Sequence, residues 1–153
     1  MIVLLFGPPA SGKTTIAKKL AEKLGGAYLL SSDRFRRRVY RRLMEEVKKR
    51  KSKQRYLIVD GTFYKKRWRE ELRAAAGGGD VLEVFINCPL ETCLKRNKER
   101  SNPIPEEAVH ILWRTFELPE NPDLEINTDR IAPEEAAQRI LDITKKGLKN
   151  WAC

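Results

Sequence analysis

The sequence predicts a three-layer α/β/α fold built on a five-stranded parallel sheet, and three observations carry that prediction. Short apolar runs alternate with helical patterns along the chain, which favours parallel strands joined by right-handed crossovers. The first run, MIVLLF, leads straight into a glycine-rich turn and then a helix. The 153 residues suit one domain, spanning 1–153, with a sizeable core.

Residues 1–6 carry no polar side chain and read as a fully buried strand. The next eight, GPPASGKT, fit G-x-x-x-x-G-K-[ST], with Gly7, Gly12, Lys13 and Thr14 at the defining positions. Ile16, Ala17, Leu20, Ala21 and Leu24 then recur at helical spacing until Gly25-Gly26. Strand, glycine loop and helix together give the motif physical content. Glycines let backbone N–H groups turn inward, so Gly7, Pro8, Pro9, Ala10, Ser11 and Gly12 form a nest for phosphate oxygens. The helix start at Lys13, Thr14 and Thr15 adds unpaired N–H groups and a positive dipole end. Lys13 is placed to reach the β- and γ-phosphates as a catalytic group, and the Thr14 hydroxyl to ligate Mg²⁺. The reading is a site for ATP or another nucleoside triphosphate.

Residues 27–33 (AYLLSSD), 55–63 (RYLIVDGTF), 81–87 (VLEVFIN) and 123–129 (DLEINTD) supply the remaining four strands. Helical patterns cover 64–76, 90–100, 105–118 and 133–148. Ligands of parallel α/β sheets gather beyond the carboxyl ends of the strands, so polar residues at those tips are the candidates. Asp60 follows Leu57-Ile58-Val59 and is read as a ligand to Mg²⁺ or to substrate, against the alternative of a turn aspartate before Gly61. Asp33 is read as the general base for an acceptor hydroxyl, against the alternative of a helix N-cap. Arg36, one helical turn beyond, is positioned to grip an acceptor phosphate.

Charge is concentrated. Residues 33–55 hold twelve basic side chains against three acidic ones, +9 of the chain's +10. Phe35, Val39, Leu43 and Val47 repeat every fourth residue there, so the segment reads as an amphipathic helix over 34–55. Its basic face either solvates or attracts a polyanion such as RNA or tRNA. Arg96 and Arg100 lie one turn apart before a proline-flanked loop, the pattern of a mobile lid around 96–106 or of a solvated helix end. Trp68, Trp113 and His110 read as packing or helix-face residues. Cys88, Cys93 and Cys153 lack metal spacing and read as reduced thiols of a cytoplasmic protein. No apolar run is long enough to cross a bilayer, and none reads as a cleavable signal. Abundant Lys, Arg and Glu with one His point to a thermophilic source.

The segments SSDRFR, DGTFYKKRWREEL, VFINCPLETCLKRNKER and FELPENPDLEINTD resemble a group of P-loop kinases. The group includes adenylylsulfate kinase, the kinase domain of L-seryl-tRNA(Sec) kinase and polynucleotide kinase. The resemblance spans nearly the whole chain and implies a P-loop NTPase fold of the nucleoside-kinase type. It further implies Asp33 as base, Arg36 as acceptor clamp, Arg96 near the adenine and Arg100 near the transferred phosphate. The lid is shorter than that of adenylylsulfate kinases, and the tRNA-binding region of seryl-tRNA kinases has no counterpart in these 153 residues. The expected activity is Mg²⁺-dependent transfer of the γ-phosphoryl group of ATP to a hydroxyl, leaning to a nucleotide or RNA-linked acceptor. Adenylylsulfate or another small metabolite is the alternative acceptor. An NTP-dependent switch or RNA-binding ATPase is the alternative from outside the kinases.

Overall fold

A computed structural model describes residues 1–149; Cys153 lies outside the described residues. The strands are β1 (Ile2–Phe6), β2 (Tyr28–Ser31), β3 (Leu57–Gly61), β4 (Val81–Asn87) and β5 (Leu124–Asn127). They pair in parallel in the order β2-β3-β1-β4-β5, with β1 central between β3 and β4. Helices α1 (Lys13–Leu24), α2 (Val39–Arg50), α3 (Lys66–Ala76), α4 (Leu90–Glu99), α5 (Glu106–Thr115) and α6 (Pro133–Lys149) complete the chain.

The alternation of side chains along a strand divides the core in two. Ile2, Leu4 and Phe6 face one side, with Leu57, Val59 and Phe85, and are covered by α2 and α3 through Leu43, Val47 and Leu72. Val3 and Leu5 face the other, with Ile58, Val84 and Ile86, and are covered by α1 and α6 through Ile16, Leu20, Ile140 and Leu141. Leu4 and Leu5 are fully buried, so truncating either to alanine removes about 2–5 kcal/mol. Because β1 is covered on both faces, an uninterrupted apolar run is what its position demands. A third, small cluster of Cys88, Cys93 and Val109 joins α4 to α5.

Every element expected from sequence forms, most with shorter ends, while β4 matches its expected range and α6 runs one residue further, to Lys149. The main correction is the basic helix, expected over 34–55 but present only as α2, Val39–Arg50. Ser31 instead caps a 3₁₀ turn over Ser32–Arg34, Phe35 is extended at φ −116°, and Arg38 stands at φ 52° before the helix begins. Lys48, Lys49 and Arg50 in the last turn suit the negative end of the α2 dipole, whereas Arg41 and Arg42 remain in its first turn with no acidic residue there. Phe35 still packs on the same core face as the α2 stripe, but from extended backbone.

Candidate active site

The polar strand tips meet above the sheet. A cavity of about 470 Å³ is lined by the loop after β1, by Ser32 and Asp33 after β2, by Asp60 and Thr62 at β3, and by Arg96 and Arg100 of the lid segment.

On the donor side the backbone has the shape of an anion cradle. Gly7 is forced by packing: a Cβ there would lie 1.8 Å from the Ile86 carbonyl oxygen. Gly12 at φ 101° turns the chain into α1, and Ala10 holds the left-handed region at φ 60°, a strain of about 1–3 kcal/mol that clusters at functional sites. The first turn of α1 has no acidic residue and no side-chain cap, so its N–H groups are left to a ligand. Lys13 is 8% exposed, and its Nζ donates to Pro8 O (2.7 Å) and Ser11 Oγ (3.4 Å). Burial holds its ammonium below the ordinary lysine range, opposed chiefly by the Asp60 charge. Those features fit a triphosphate.

The metal expectation also fits the residues present. Thr14 Oγ1 donates to Asp60 Oδ2 (2.8 Å), and Ser31 Oγ reaches the same oxygen (3.3 Å). Hydroxyl and carboxylate oxygens are the donors a hard cation takes. Asp60 is 2% exposed, and burial pushes its carboxyl above the usual aspartate range despite Lys13 and the Thr14 hydroxyl. A buried carboxylate in that condition favours a cation beside it. Asp60 lies inside β3, opposite Leu5 and Ser31, so the turn alternative is excluded.

On the acceptor side the groups are exposed. Asp33 lines the cavity, and its backbone N–H donates to Ser31 Oγ (3.4 Å). The cap of that turn is therefore Ser31, and the N-cap alternative for Asp33 falls. Its expected partner is placed differently. Arg36 follows the extended Phe35, not a helical turn, and does not line the cavity. The backbone of the 3₁₀ turn ends too early for the i, i+3 geometry.

Arg96 is no solvated helix end. Its guanidinium donates to Ser11 O (3.1 Å), Thr128 Oγ1 (2.7 Å) and Thr128 O (3.0 Å), while Thr128 Oγ1 donates to Ser11 O (2.7 Å). It thereby ties α4 to the phosphate loop and to the loop after β5. Arg100 is exposed at the cavity mouth and, among the described residues, makes no side-chain hydrogen bond or ion pair. Asn97 closes the lid loop by pairing both its amide atoms with the backbone of Ile104 (2.8 and 3.1 Å).

Sequence reasoning missed Ser31, Thr62 and Thr128. Each sits at or just past a strand tip, the rule that found Asp33 and Asp60, but their roles depend on neighbours distant in the chain. Trp113 donates its indole N–H to Cys88 O (3.2 Å), and His110 lies 3.9 Å from Glu106 on α5, so both serve the helix surface. Cys88 and Cys93 are free and buried. Among the described residues no helix is long and apolar enough to cross a membrane.

With the geometry in place, comparisons with known proteins agree with it. The family model AAA_33, described as an AAA domain, matches residues 2–119. The chain is similar to a probable adenylyl-sulfate kinase of Halalkalibacterium halodurans, 32% identical over 163 residues, covering 91% of this chain and 80% of that protein. It is 30% identical over 174 residues to the L-seryl-tRNA(Sec) kinase of Methanococcus maripaludis, covering 97% of this chain and 68% of that one. In structure it resembles the Mycobacterium tuberculosis APS kinase CysC in complex with AMPPNP and APS, with TM-score 0.70, 22% identity and coverage of 94% and 96%.

Proposed function

Because this chain belongs to the AAA domain family AAA_33 and is an ATP-dependent kinase of the P-loop type acting on a hydroxyl, we propose that its acceptor hydroxyl belongs to a nucleotide or to RNA. The observation that carries this reading is the +9 segment, which begins at Asp33 on the cavity rim and runs outward along an exposed surface. A small metabolite needs one or two cations; a polyanion makes use of a dozen.

The reading assigns the residues as follows. Backbone N–H groups of residues 10–15 and the Lys13 ammonium hold the β- and γ-phosphates. Thr14 and Asp60 would hold Mg²⁺, which would supply neutralisation of the charge on the transferred group. Asp33 accepts the proton of the attacking hydroxyl and orients it in line with the γ-phosphorus. Arg100, free at the lid, folds over the transferred group, while Arg96 keeps the lid registered to the loop and borders the nucleotide. Arg36 lies outside the cavity and suits an acceptor phosphate beyond the reacting hydroxyl. The reaction belongs in the cytoplasm, where ATP is plentiful and buried thiols stay reduced.

The deciding experiment is transfer of labelled γ-phosphate from Mg·ATP to total tRNA, to 5′-hydroxyl oligoribonucleotides and to adenylylsulfate, with Lys13→Ala as blank. Label in RNA is expected. Label only in adenylylsulfate would assign the small-metabolite reading, and free phosphate alone the ATPase reading.

A further inference from the structure

Outside the catalytic cavity lies a larger open groove, about 820 Å³, between α2 and α3. We propose that it binds single-stranded RNA next to the acceptor hydroxyl, seating one base against its aromatic wall and drawing the backbone along α2. This rests on the RNA-linked reading of the acceptor.

The wall is an aromatic stack with the Arg67 guanidinium plane as its outer layer. Tyr40 and Trp68 stack with centroids 4.5 Å apart at 14°, and the Arg67 guanidinium sits 4.2 Å from the Trp68 ring. Single-stranded bases are taken up on such aromatic and guanidinium planes. Tyr40 is fixed from behind, since its hydroxyl accepts the Phe63 N–H (3.1 Å). The Trp68 indole N–H is buried without a partner among the described residues, a donor that folding leaves unsatisfied. Glu71 lines the groove as an exposed acceptor able to read an amino group on a base edge.

The rim supplies the charge. Arg38, the residue before α2, and Arg41 one turn on line the groove, with Lys48 two turns further along; Glu45 lies between them and pairs with Arg41 (3.4 Å), leaving Arg38 and Lys48 as the cations not engaged there. Position joins the groove to the reaction: Asp33 lines the cavity and Arg38 lines the groove, five residues on and so at most about 18 Å away. The 3₁₀ turn and bend between them, which spoil the expected Asp33–Arg36 pairing, lead the arginine run out of the cavity and towards the groove. Arg36 and Arg37 lie on this stretch, both exposed.

The test uses the whole chain and a mixed-sequence oligoribonucleotide of eight residues with free terminal hydroxyls, labelled with fluorescein for anisotropy. The triple variant Arg38→Glu, Arg41→Glu, Lys48→Glu, all exposed positions, is expected to bind it at least tenfold more weakly. The slope of log affinity against log salt should fall by about 2, as three lost phosphate contacts require. Trp68→Phe, which keeps an aromatic ring beside Tyr40, should remove the quenching of tryptophan emission by the octamer. Unchanged affinity and slope in the triple variant, or an octamer that binds no better than uridine monophosphate, would overturn the groove. Phosphorylation of the octamer with no effect of the triple variant would do the same while leaving the acceptor reading intact. Groove-dependent binding without label transfer would support the groove and remove RNA as the acceptor.

Discussion

The two halves of the catalytic cavity are built in opposite ways. On the donor half, Ser11, Lys13 and Asp60 are buried, and each is tied to a neighbour before any ligand arrives. On the acceptor half, Asp33 and Arg100 are exposed, and Arg36 stands outside the cavity. The difference follows from what each half must do. Nucleoside triphosphate is a constant, so its cradle can be preorganised and desolvated, which strengthens every electrostatic contact within it. On the proposed reading the acceptor half gains its interactions only when substrate is present, and its exposed groups carry the choice of acceptor.

The comparison can be broken most severely on the donor side. Gly7→Ala places a methyl against the Ile86 carbonyl and should cost about 1–3 kcal/mol or more, lowering the melting temperature by about 3–10 °C and preventing nucleotide binding. Thermal denaturation with and without ATP measures both. Asp60→Asn should raise the Mg²⁺ concentration needed for half-maximal activity by about ten- to a hundredfold, because a carboxylate leaves the metal site while the Thr14 and Ser31 contacts persist.

Acidity probes the same residue. Burial raises the Asp60 pKa, so the folded chain takes up this proton more readily than the unfolded chain. Its favourable contribution is complete below the unfolded aspartate range and is lost as pH rises through the folded value. Metal binding as proposed runs the other way, since it needs the Asp60 carboxylate. Activity should therefore fall on acidification at a higher pH than an exposed aspartate would give, and excess Mg²⁺ should move that limb downward; a pH–rate profile at two Mg²⁺ concentrations checks it. Arg96→Ala, removing three charge-assisted bonds from α4, one to the phosphate loop and two to Thr128 after β5, should raise the KM for ATP about tenfold. Arg36→Ala should have the smallest effect, raising the KM for a phosphate-bearing acceptor a few-fold with no change in the KM for ATP.

The contrast also explains what could be read from sequence. Apart from Asp60, the donor half is written within fifteen consecutive residues, so composition and spacing locate it without knowledge of the fold. Strand positions were equally legible, because apolar runs such as Leu57-Ile58-Val59 have no other place to go than between helical layers. The acceptor half depends on where the chain bends. The fourfold stripe from Phe35 to Val47 suggested one helix, and only the cap at Ser31 and the left-handed Arg38 decide that it starts at Val39. Thr128 joins the site through a carbonyl 117 residues earlier, and no local pattern announces such a contact.

The most direct test of the division is Asp33→Asn, assayed for ATP binding and for transfer to the acceptor found in the labelling experiment. Asn keeps the shape of the exposed side chain and removes its basicity. The account predicts a Kd for Mg·ATP within about twofold of the parent and a kcat lower by about 10²–10⁴. Transfer at the parental rate would contradict it, because the hydroxyl would then find its base elsewhere in the cavity.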